Sequence, residues 1–208
     1  MNTEILVRTR KSLHGVAELV MAGPQYRQSG TIKLFVVDSG FATAKEPELR
    51  VDGAELVAGG RRVALSGMSF GAIAEAAGLV ASELTDVYSG GSGLVPSDEA
   101  DADPDSARYI CDCFAIGNQA LRELEPSETP IVWPEHFDVS ISHNDVNYGM
   151  SPGDDFQPEP YAYVGPFTSR SGEFWNAPFG AARRMADLDG PEAILAFFTE
   201  GRDLAAQD

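Results

Sequence analysis

The chain has 208 residues, a hydrophobic fraction of 43% and a formal net charge of −17 at pH 7. This apolar content excludes a disordered protein, and the lack of any run of about 18 apolar residues excludes a membrane-spanning helix. The negative charge repels phosphate backbones, so we expect no sequence-independent binding of nucleic acids.

The N-terminal segment and the few cysteines indicate a cytoplasmic protein. Arg8, Arg10 and Lys11 interrupt a segment in which a secretory signal would have an unbroken apolar centre. Cys111 and Cys113 are two positions apart in a predicted helix, so their side chains diverge and no disulfide is expected. Two cysteines and three scattered histidines lack the spacing of a zinc site, and we predict no metal and no cofactor.

The hydrophobic periodicity predicts helices and strands along most of the chain. Helices are predicted over 3–22, 69–79, 104–124 and 191–206. Strands are predicted over 31–37, 41–44, 48–51, 54–57, 61–65, 131–133, 136–141, 146–150, 161–165 and 181–185. The segment 85–103 is typical of a loop, since it is rich in glycine and carboxylates.

Two of these helices have clear boundaries in the sequence. The first has an apolar stripe at helical spacing formed by Ile5, Thr9, Leu13, Val16 and Val20. Gly23-Pro24 predicts its end. The third has Asp103 as its expected N-cap and Pro104 at its first position, and both are favoured there.

The turn signals indicate an α+β fold with a largely antiparallel sheet and helices on one side or at the ends. Asp52-Gly53 and Gly59-Gly60 separate short strands in the way that tight hairpins do. We predict a single domain over 1–208. The order of helix, strands and helix occurs twice, which predicts pseudo-repeat halves 1–84 and 104–208 joined by an acidic loop.

A G-x-S-x-G motif at 67–71 raises the hypothesis of a small serine hydrolase. A strand precedes Ser69 and a helix follows it, as in a nucleophile elbow, with His136 or His143 as a possible base. The preceding strands are joined by tight hairpins, however, whereas hydrolase sheets need crossover helices between parallel strands. An N-cap role for Ser69 is the simpler interpretation.

Polar residues alternate with apolar residues over 136–141. His136 and Asp138 are two apart on this predicted strand, so both face away from the core that takes Phe137 and Val139. A carboxylate beside an imidazole fixes its tautomer and supports general-base chemistry. The alternative is an ordinary solvated face.

The segment His143-Asn144-Asp145 has the composition of a hairpin turn, since Asn and Asp tolerate left-handed backbone angles. A metal site made of His136, Asp138, His143 and Asp145 is the alternative, but its spacing is not diagnostic. The acidic run from Asp98 to Asp105 imitates the start of an EF-hand loop but lacks its glycine and its terminal glutamate, which favours a solvated loop.

Aromatic residues are concentrated in one block. Residues 133–180 contain 10 of the 19 aromatic residues of the chain. Such rings form either a packed core or the walls of a binding site, with hydroxyl, indole and amide groups to orient a ligand. We predict a ligand site in this block, formed by His136, Asp138, Tyr148, Tyr161, Tyr163, Trp175 and Asn176.

Three segments of this block resemble a family of actinobacterial proteins of unknown function. They are WPEHFD at 133–138, NYGMSPGD at 147–154 and PYAYVGP at 160–166, and they follow the strand segment GTIKLFVVDSGFAT at 30–43. The resemblance covers most of the chain. It implies a shared fold and a bacterial cytoplasmic setting, and it transfers no chemistry.

The leading hypothesis is a non-catalytic protein that binds a small molecule or a partner through the aromatic block. The alternatives are the serine hydrolase and an acidic interaction module that blocks a basic partner, as immunity proteins do. Neither nucleic acid nor membrane is an expected partner, and the sequence does not specify the ligand or the oligomeric state.

Overall fold

The computed structural model describes residues 2–207 and shows an α+β fold dominated by antiparallel sheet. The helical elements are α1 (Thr3–Gly15), a π-helical segment (Val16–Ala22), α2 (Gly23–Ser29), α3 (Phe70–Ala76), α4 (Pro104–Leu124), a 3-10 turn (Met185–Asp187) and α5 (Gly190–Ala205). The strands are β1 (Leu34–Val37), β2 (Gly40–Thr43), β3 (Leu49–Asp52), β4 (Glu55–Ala58), β5 (Arg61–Ala64), β6 (Ser66–Ser69), β7 (Glu99–Asp101), β8 (Ile131–Trp133), β9 (Asp138–His143), β10 (Val146–Ser151), β11 (Tyr161–Pro166) and β12 (Ala181–Arg184).

Ten strands form one sheet in the order β12-β11-β10-β9-β8-β1-β2-β3-β4-β5, and every pairing is antiparallel. We call β1–β5 the first meander and β8–β12 the second meander. They meet where β1 pairs with β8, with Leu34 opposite Val132. β6 and β7 form a separate two-stranded sheet. The predicted fold class is therefore confirmed.

The sheet has an inner face, covered by helices, and an outer face. Alternation along each strand places Val139 and Met150 on the inner face, where both approach Gly117 of α4. Asp138 and Ser140 point to the opposite, outer face. Asp138 and Ser140 therefore lie on the face of the strand opposite α4, as the sequence predicts for these two residues.

The core is centred where the two meanders meet. Phe41 of β2, Phe114 of α4 and Phe137 form an edge-to-face cluster with ring centroids 5.3–6.2 Å apart. All three side chains are fully buried. Phe137 adopts a left-handed φ of 52°, which directs its ring into this cluster from the turn 134–137.

The first helix does not end at Gly23-Pro24, as the sequence predicted. The helix widens into π geometry, with Gly23 N–H bonded to Glu18 O, and continues to Ser29. The carbonyl of Leu19 accepts a hydrogen bond from Ser82 N–H at 2.9 Å instead of from proline, which has no N–H. A Cβ on Gly23 would lie 2.0 Å from Ser82 O, so glycine permits this close approach.

Most of the other elements agree with the sequence to within a few residues, but strand β6 was not predicted. Helix α4 has the predicted bounds, and its N-cap Asp103 accepts a hydrogen bond from Ser106 N–H at 2.9 Å. The strand expected over 31–37 begins only at Leu34, and residues 99–101 of the predicted loop pair as β7. Both cysteines are free and buried, and burial raises the pKa of each thiol to about 12.

Within residues 2–207, no helix combines the length and apolar character that a bilayer crossing requires. The two meanders occur in the order that the predicted pseudo-repeat requires, but a common origin of the halves stays a prediction. Of the predicted domain 1–208, Met1 and Asp208 lie outside the described residues.

Candidate functional site

A cleft of about 1020 Å³ opens on the outer face of the second meander. Ligand-binding clefts usually span about 300–1,000 Å³, so this cleft lies at the upper end of that range. Its walls come from α1, the loop 90–92, the turn 134–137, strands β9–β11, the loop 152–160 between β10 and β11, and the loop 167–180 between β11 and β12.

A tyrosine that crosses the sheet defines the floor of the cleft. Tyr163 of β11 lies over Gly149 of β10, and its hydroxyl donates a hydrogen bond to Oδ2 of Asp138 on β9. A Cβ on Gly149 would lie 2.5 Å from the ring of Tyr163, so only glycine leaves room for this crossing. The contact between Tyr163 and Asp138 therefore depends on the registers in which β9, β10 and β11 pair.

Asp138 is a buried carboxyl group with one oxygen unsatisfied. Its residue exposure is 6%, and Oδ1 has no hydrogen-bond partner among residues 2–207. Burial raises the pKa of Asp138, while the hydrogen bond from Tyr163 opposes that rise. Burial and the adjacent carboxylate raise the pKa of Tyr163 well above its ordinary value, so the phenol is the donor.

A polar stripe on the first helix is hydrogen-bonded to three segments that form walls of the cleft. Arg10, His14 and Glu18 are four residues apart and so share one side of the helix. Arg10 donates to Pro158 O at 3.1 Å in the loop 152–160. His14 Nε2 lies 2.8 Å from Pro134 O. Glu18 accepts from Ser92.

Further contacts hold Glu18 and His14 in place. Glu18 Oε2 accepts hydrogen bonds from Ser92 N–H at 2.9 Å and Ser92 Oγ at 2.5 Å, and its Oε1 accepts one from Tyr88 at 3.0 Å. The ring of His14 stacks on Phe137 with centroids 5.3 Å apart. These contacts join the mouth of the cleft to the core.

Burial also lowers the pKa values of the two basic side chains of this stripe, Arg10 and His14. Desolvation lowers the pKa of His14, so its ring is neutral at pH 7, and the Pro134 carbonyl identifies Nε2 as the protonated nitrogen. Desolvation also lowers the pKa of Arg10, while Asp154 and Asp155 oppose that shift. The charge of Arg10 is therefore balanced by the loop that it binds.

Aromatic rings form a second wall of the cleft. Tyr161, Phe156 and Phe179 pack together with ring centroids 5.1–6.3 Å apart, and the hydroxyl of Tyr161 donates to Asp154 Oδ2 at 2.5 Å. Phe156 is 47%, Phe167 64% and Phe179 37% exposed. The cleft thus presents apolar rings at its mouth and bonded polar groups deeper inside.

The structure brings four of the seven predicted site residues to the cleft and places three elsewhere. The cleft residues are His136, Asp138, Tyr161 and Tyr163. Tyr148 lies on the inner face, buried against Phe198 of α5 with centroids 6.0 Å apart. Trp175 packs against Phe174 beside the core. Asn176 bonds both backbone groups of Ala182, which fastens its loop to β12.

His136 does not share a strand face with Asp138, contrary to the prediction. The strand begins at Asp138, and His136 lies in the preceding turn because Phe137 takes a left-handed conformation. The imidazole is 72% exposed and lies 3.9 Å from Glu135. Asp138 is therefore paired with a phenol, and the expected imidazole–carboxylate pair is replaced.

Ser69 caps a helix and shows no catalytic arrangement. It precedes α3, and its Oγ accepts a hydrogen bond from Ala72 N–H at 3.2 Å. Within the described chain, no histidine is hydrogen-bonded to it; His14 binds Pro134 O and His143 lies 3.2 Å from Glu125.

The segment 143–145 forms the tight turn that the sequence predicts, with φ of 51° at Asn144 and 59° at Asp145. His143 and Asp138 stand at opposite ends of β9, which separates two members of the conceivable metal set. Across residues 2–207, no group of three or more His, Cys, Asp or Glu side chains could hold a metal ion.

Sequence reasoning missed the contribution of the first helix. Arg10 entered the prediction only as an interruption of an apolar segment, and Glu18 did not enter it. The available signal was the spacing of four between Arg10, His14 and Glu18, beside the apolar stripe of a helix expected to be buried. The loop 90–92 gave only a glycine-rich signal.

Comparison with known proteins identifies no relative. No family model matches the chain, and neither curated proteins nor solved structures give a match. The geometry of the cleft therefore carries the functional argument.

Proposed function

We propose that this chain is a non-catalytic binding protein that holds its ligand in the cleft of the second meander. The observation that supports this most directly is Asp138, a buried carboxyl group in the wall of the cleft with an unsatisfied oxygen. Native proteins satisfy nearly all buried polar groups, and an exception inside a cleft is explained by a ligand that completes it.

The rings and the polar groups have separate tasks in this proposal. The rings of Tyr161, Phe156 and Phe179 supply apolar contact area, and Asp138 with Arg10 orients the polar parts of the ligand. The stripe on the first helix anchors the surrounding loops, so much of the site is formed before the ligand arrives. Such preorganisation lowers the ordering cost of binding.

Two occupants fit this proposal. A free small molecule can fill the cleft, or a partner protein can insert a side chain. The exposed rings of Phe156, Phe167 and Phe179 at the mouth favour a partner, because aromatic side chains often anchor protein interfaces. The net charge of −17 favours a basic partner.

A thermal-shift screen of metabolites and peptides tests the proposal. A ligand at 100 times its dissociation constant adds about 2.7 kcal/mol to the free energy of unfolding. Gly165 lies in the outer row of β11 and lines the cleft, so Gly165→Val would fill part of it. Ala64→Val makes a similar change on the exposed edge strand of the first meander.

We expect a ligand to stabilise the wild type and Ala64→Val but not Gly165→Val. Equal stabilisation of all three proteins would place the binding site outside the cleft and contradict the proposal.

A further inference from the structure

We propose that the cleft recognises an organic cation, a guanidinium or ammonium group whose N–H donates a hydrogen bond to Oδ1 of Asp138. This inference rests on the proposed function and adds the chemical class of the ligand. It depends on the hydrogen bonding of Asp138, on the rings beside it and on the charge of the whole chain.

The two oxygens of Asp138 have different surroundings. Oδ2 accepts the hydrogen bond from Tyr163, which fixes the plane of the carboxylate. Oδ1 is buried in the cleft wall and accepts no hydrogen bond in the described chain, although the nearby Ser140 hydroxyl helps to lower the pKa of Asp138. One acceptor of Asp138 is therefore left for a donor from outside the chain.

A charged donor satisfies this group better than a neutral one. Burial raises the pKa of Asp138 and so disfavours its ionised form, and a cation at hydrogen-bond distance offsets that penalty directly. His136 does not donate a charged hydrogen bond to Oδ1, because its side chain is largely exposed beside Glu135. Arg10 is bound to Pro158 O and balanced by Asp154 and Asp155.

The surrounding rings and the charge of the chain also favour a cation. Tyr163 contacts the carboxylate directly, and its ring packs with those of Tyr161 and Phe179 in the cleft wall, with centroids 6.2–6.3 Å apart. The face of an aromatic ring attracts guanidinium and ammonium groups. The net charge of −17 raises the local concentration of cations and disfavours anionic ligands.

The sharpest test compares two ligands that differ in charge but hardly in shape. N-acetylarginine amide carries a guanidinium, and N-acetylcitrulline amide has a neutral urea in its place. N-acetyllysine amide tests the ammonium, and a short peptide with one central arginine tests a side chain presented by a partner. Affinities are measured by isothermal titration calorimetry with the full-length chain.

We expect an arginine or lysine probe to bind about 10- to 100-fold more tightly than citrulline amide, as a charge-assisted hydrogen bond implies. A peptide that binds much more tightly than the arginine amide identifies a protein partner as the source. Equal affinities identify a free small molecule.

Asp138→Asn keeps the shape of the side chain and removes its charge. We expect it to lose the preference for arginine over citrulline, with a drop in arginine affinity of about 10- to 100-fold. The matched control is Asp145→Asn, in the exposed turn between β9 and β10, where Asn also adopts the positive φ of 59°. This control should bind as the wild type does.

Three results would overturn the inference: equal binding of arginine and citrulline, unchanged binding by Asp138→Asn, or no binding of any cationic probe at millimolar concentration. The ligand comparison uses the wild type alone, so it holds even if the variant does not fold. A neutral or anionic ligand that binds wild type but not Gly165→Val would leave the proposed function standing and reject the cation. If no screened compound binds, both proposals fail.

Discussion

The two meanders have the same strand order and different outer faces. In the first meander, Asp52, Glu55 and Arg62 form an ion-pair cluster across β3–β5 with N–O distances of 2.7–2.8 Å. These side chains are between 28% and 47% exposed. In the second meander, the matching face buries Asp138 and Ser140, and Asp138 lines a cleft.

The connections between strands produce this difference. In the first meander, two residues join β3 to β4 at 53–54 and β4 to β5 at 59–60. In the second, the long loops 152–160 and 167–180 rise over the outer face, and the first helix fastens one of them through Arg10. The anchored loops give the second meander a cleft on its outer face, whereas β3, β4 and β5 of the first meander are joined only by tight turns.

The largest expected effect comes from the turn that joins the cleft to the core. Phe137→Ala would remove a buried ring from the cluster with Phe41 and Phe114 and remove the stacking partner of His14. We expect a loss of about 3–5 kcal/mol in the free energy of unfolding, measured by urea denaturation.

Ser39 provides the matched control, since it also has a positive φ, of 64°, but lies exposed in the turn between β1 and β2 of the first meander. Ser39→Ala should change stability by less than about 0.5 kcal/mol. Similar losses in both variants would mean that backbone strain, rather than burial of the ring, dominates at Phe137.

The elements that were predictable from sequence are those with local signals. Asp52-Gly53 and Gly59-Gly60 specify tight turns, and Asp103-Pro104 specifies the start of α4, because each depends on adjacent residues. The continuation of the first helix past Pro24 was not predictable, because the bond that satisfies Leu19 O comes from Ser82.

The candidate site was predictable only in part, for the same reason. Alternation shows that Tyr161 and Tyr163 share a face, but it does not show which face the helices cover, so Tyr148 was wrongly grouped with them. The contact between Tyr163 and Asp138 requires the registers of β9, β10 and β11 together.

A smaller effect is expected from the polar stripe of the first helix. Glu18→Gln keeps the size of the side chain but removes the negative charge of the carboxylate. This carboxylate accepts hydrogen bonds from the N–H and the hydroxyl of Ser92 and from the hydroxyl of Tyr88. Since hydrogen bonds to a buried charged group are strong, we expect a loss of about 1–3 kcal/mol. Hydrogen exchange at the amide of Ser92 should become faster.

The same substitution in the first meander, Glu55→Gln, tests whether this effect is specific to the cleft. Glu55 is 43% exposed and pairs with Arg62 at the surface, where ion pairs contribute little and salt screens them. We expect almost no change in stability. A loss as large as that of Glu18→Gln would show that the two outer faces do not differ energetically.

The smallest expected effect has the opposite sign. Without ligand, Asp138→Asn should be more stable than the wild type at pH 7, because burial costs a carboxylate more solvation free energy than it costs an amide. The pKa of Asp138 is raised on folding, so its favourable contribution is complete below the unfolded pKa of about 3.8 and is lost as the pH rises through the folded pKa.

The gain in Tm from Asp138→Asn should therefore be greatest near neutral pH and shrink towards pH 4, in a series of thermal melts of both proteins. Asp52→Asn in the first meander should instead lower stability slightly, because Asp52 is ion-paired with Arg62. A carboxyl group that weakens the free protein and leaves one oxygen unsatisfied in the cleft wall would support the proposed binding role. If Asp138→Asn is destabilising at neutral pH, Asp138 has a structural role, and the contrast between the two outer faces loses its functional meaning.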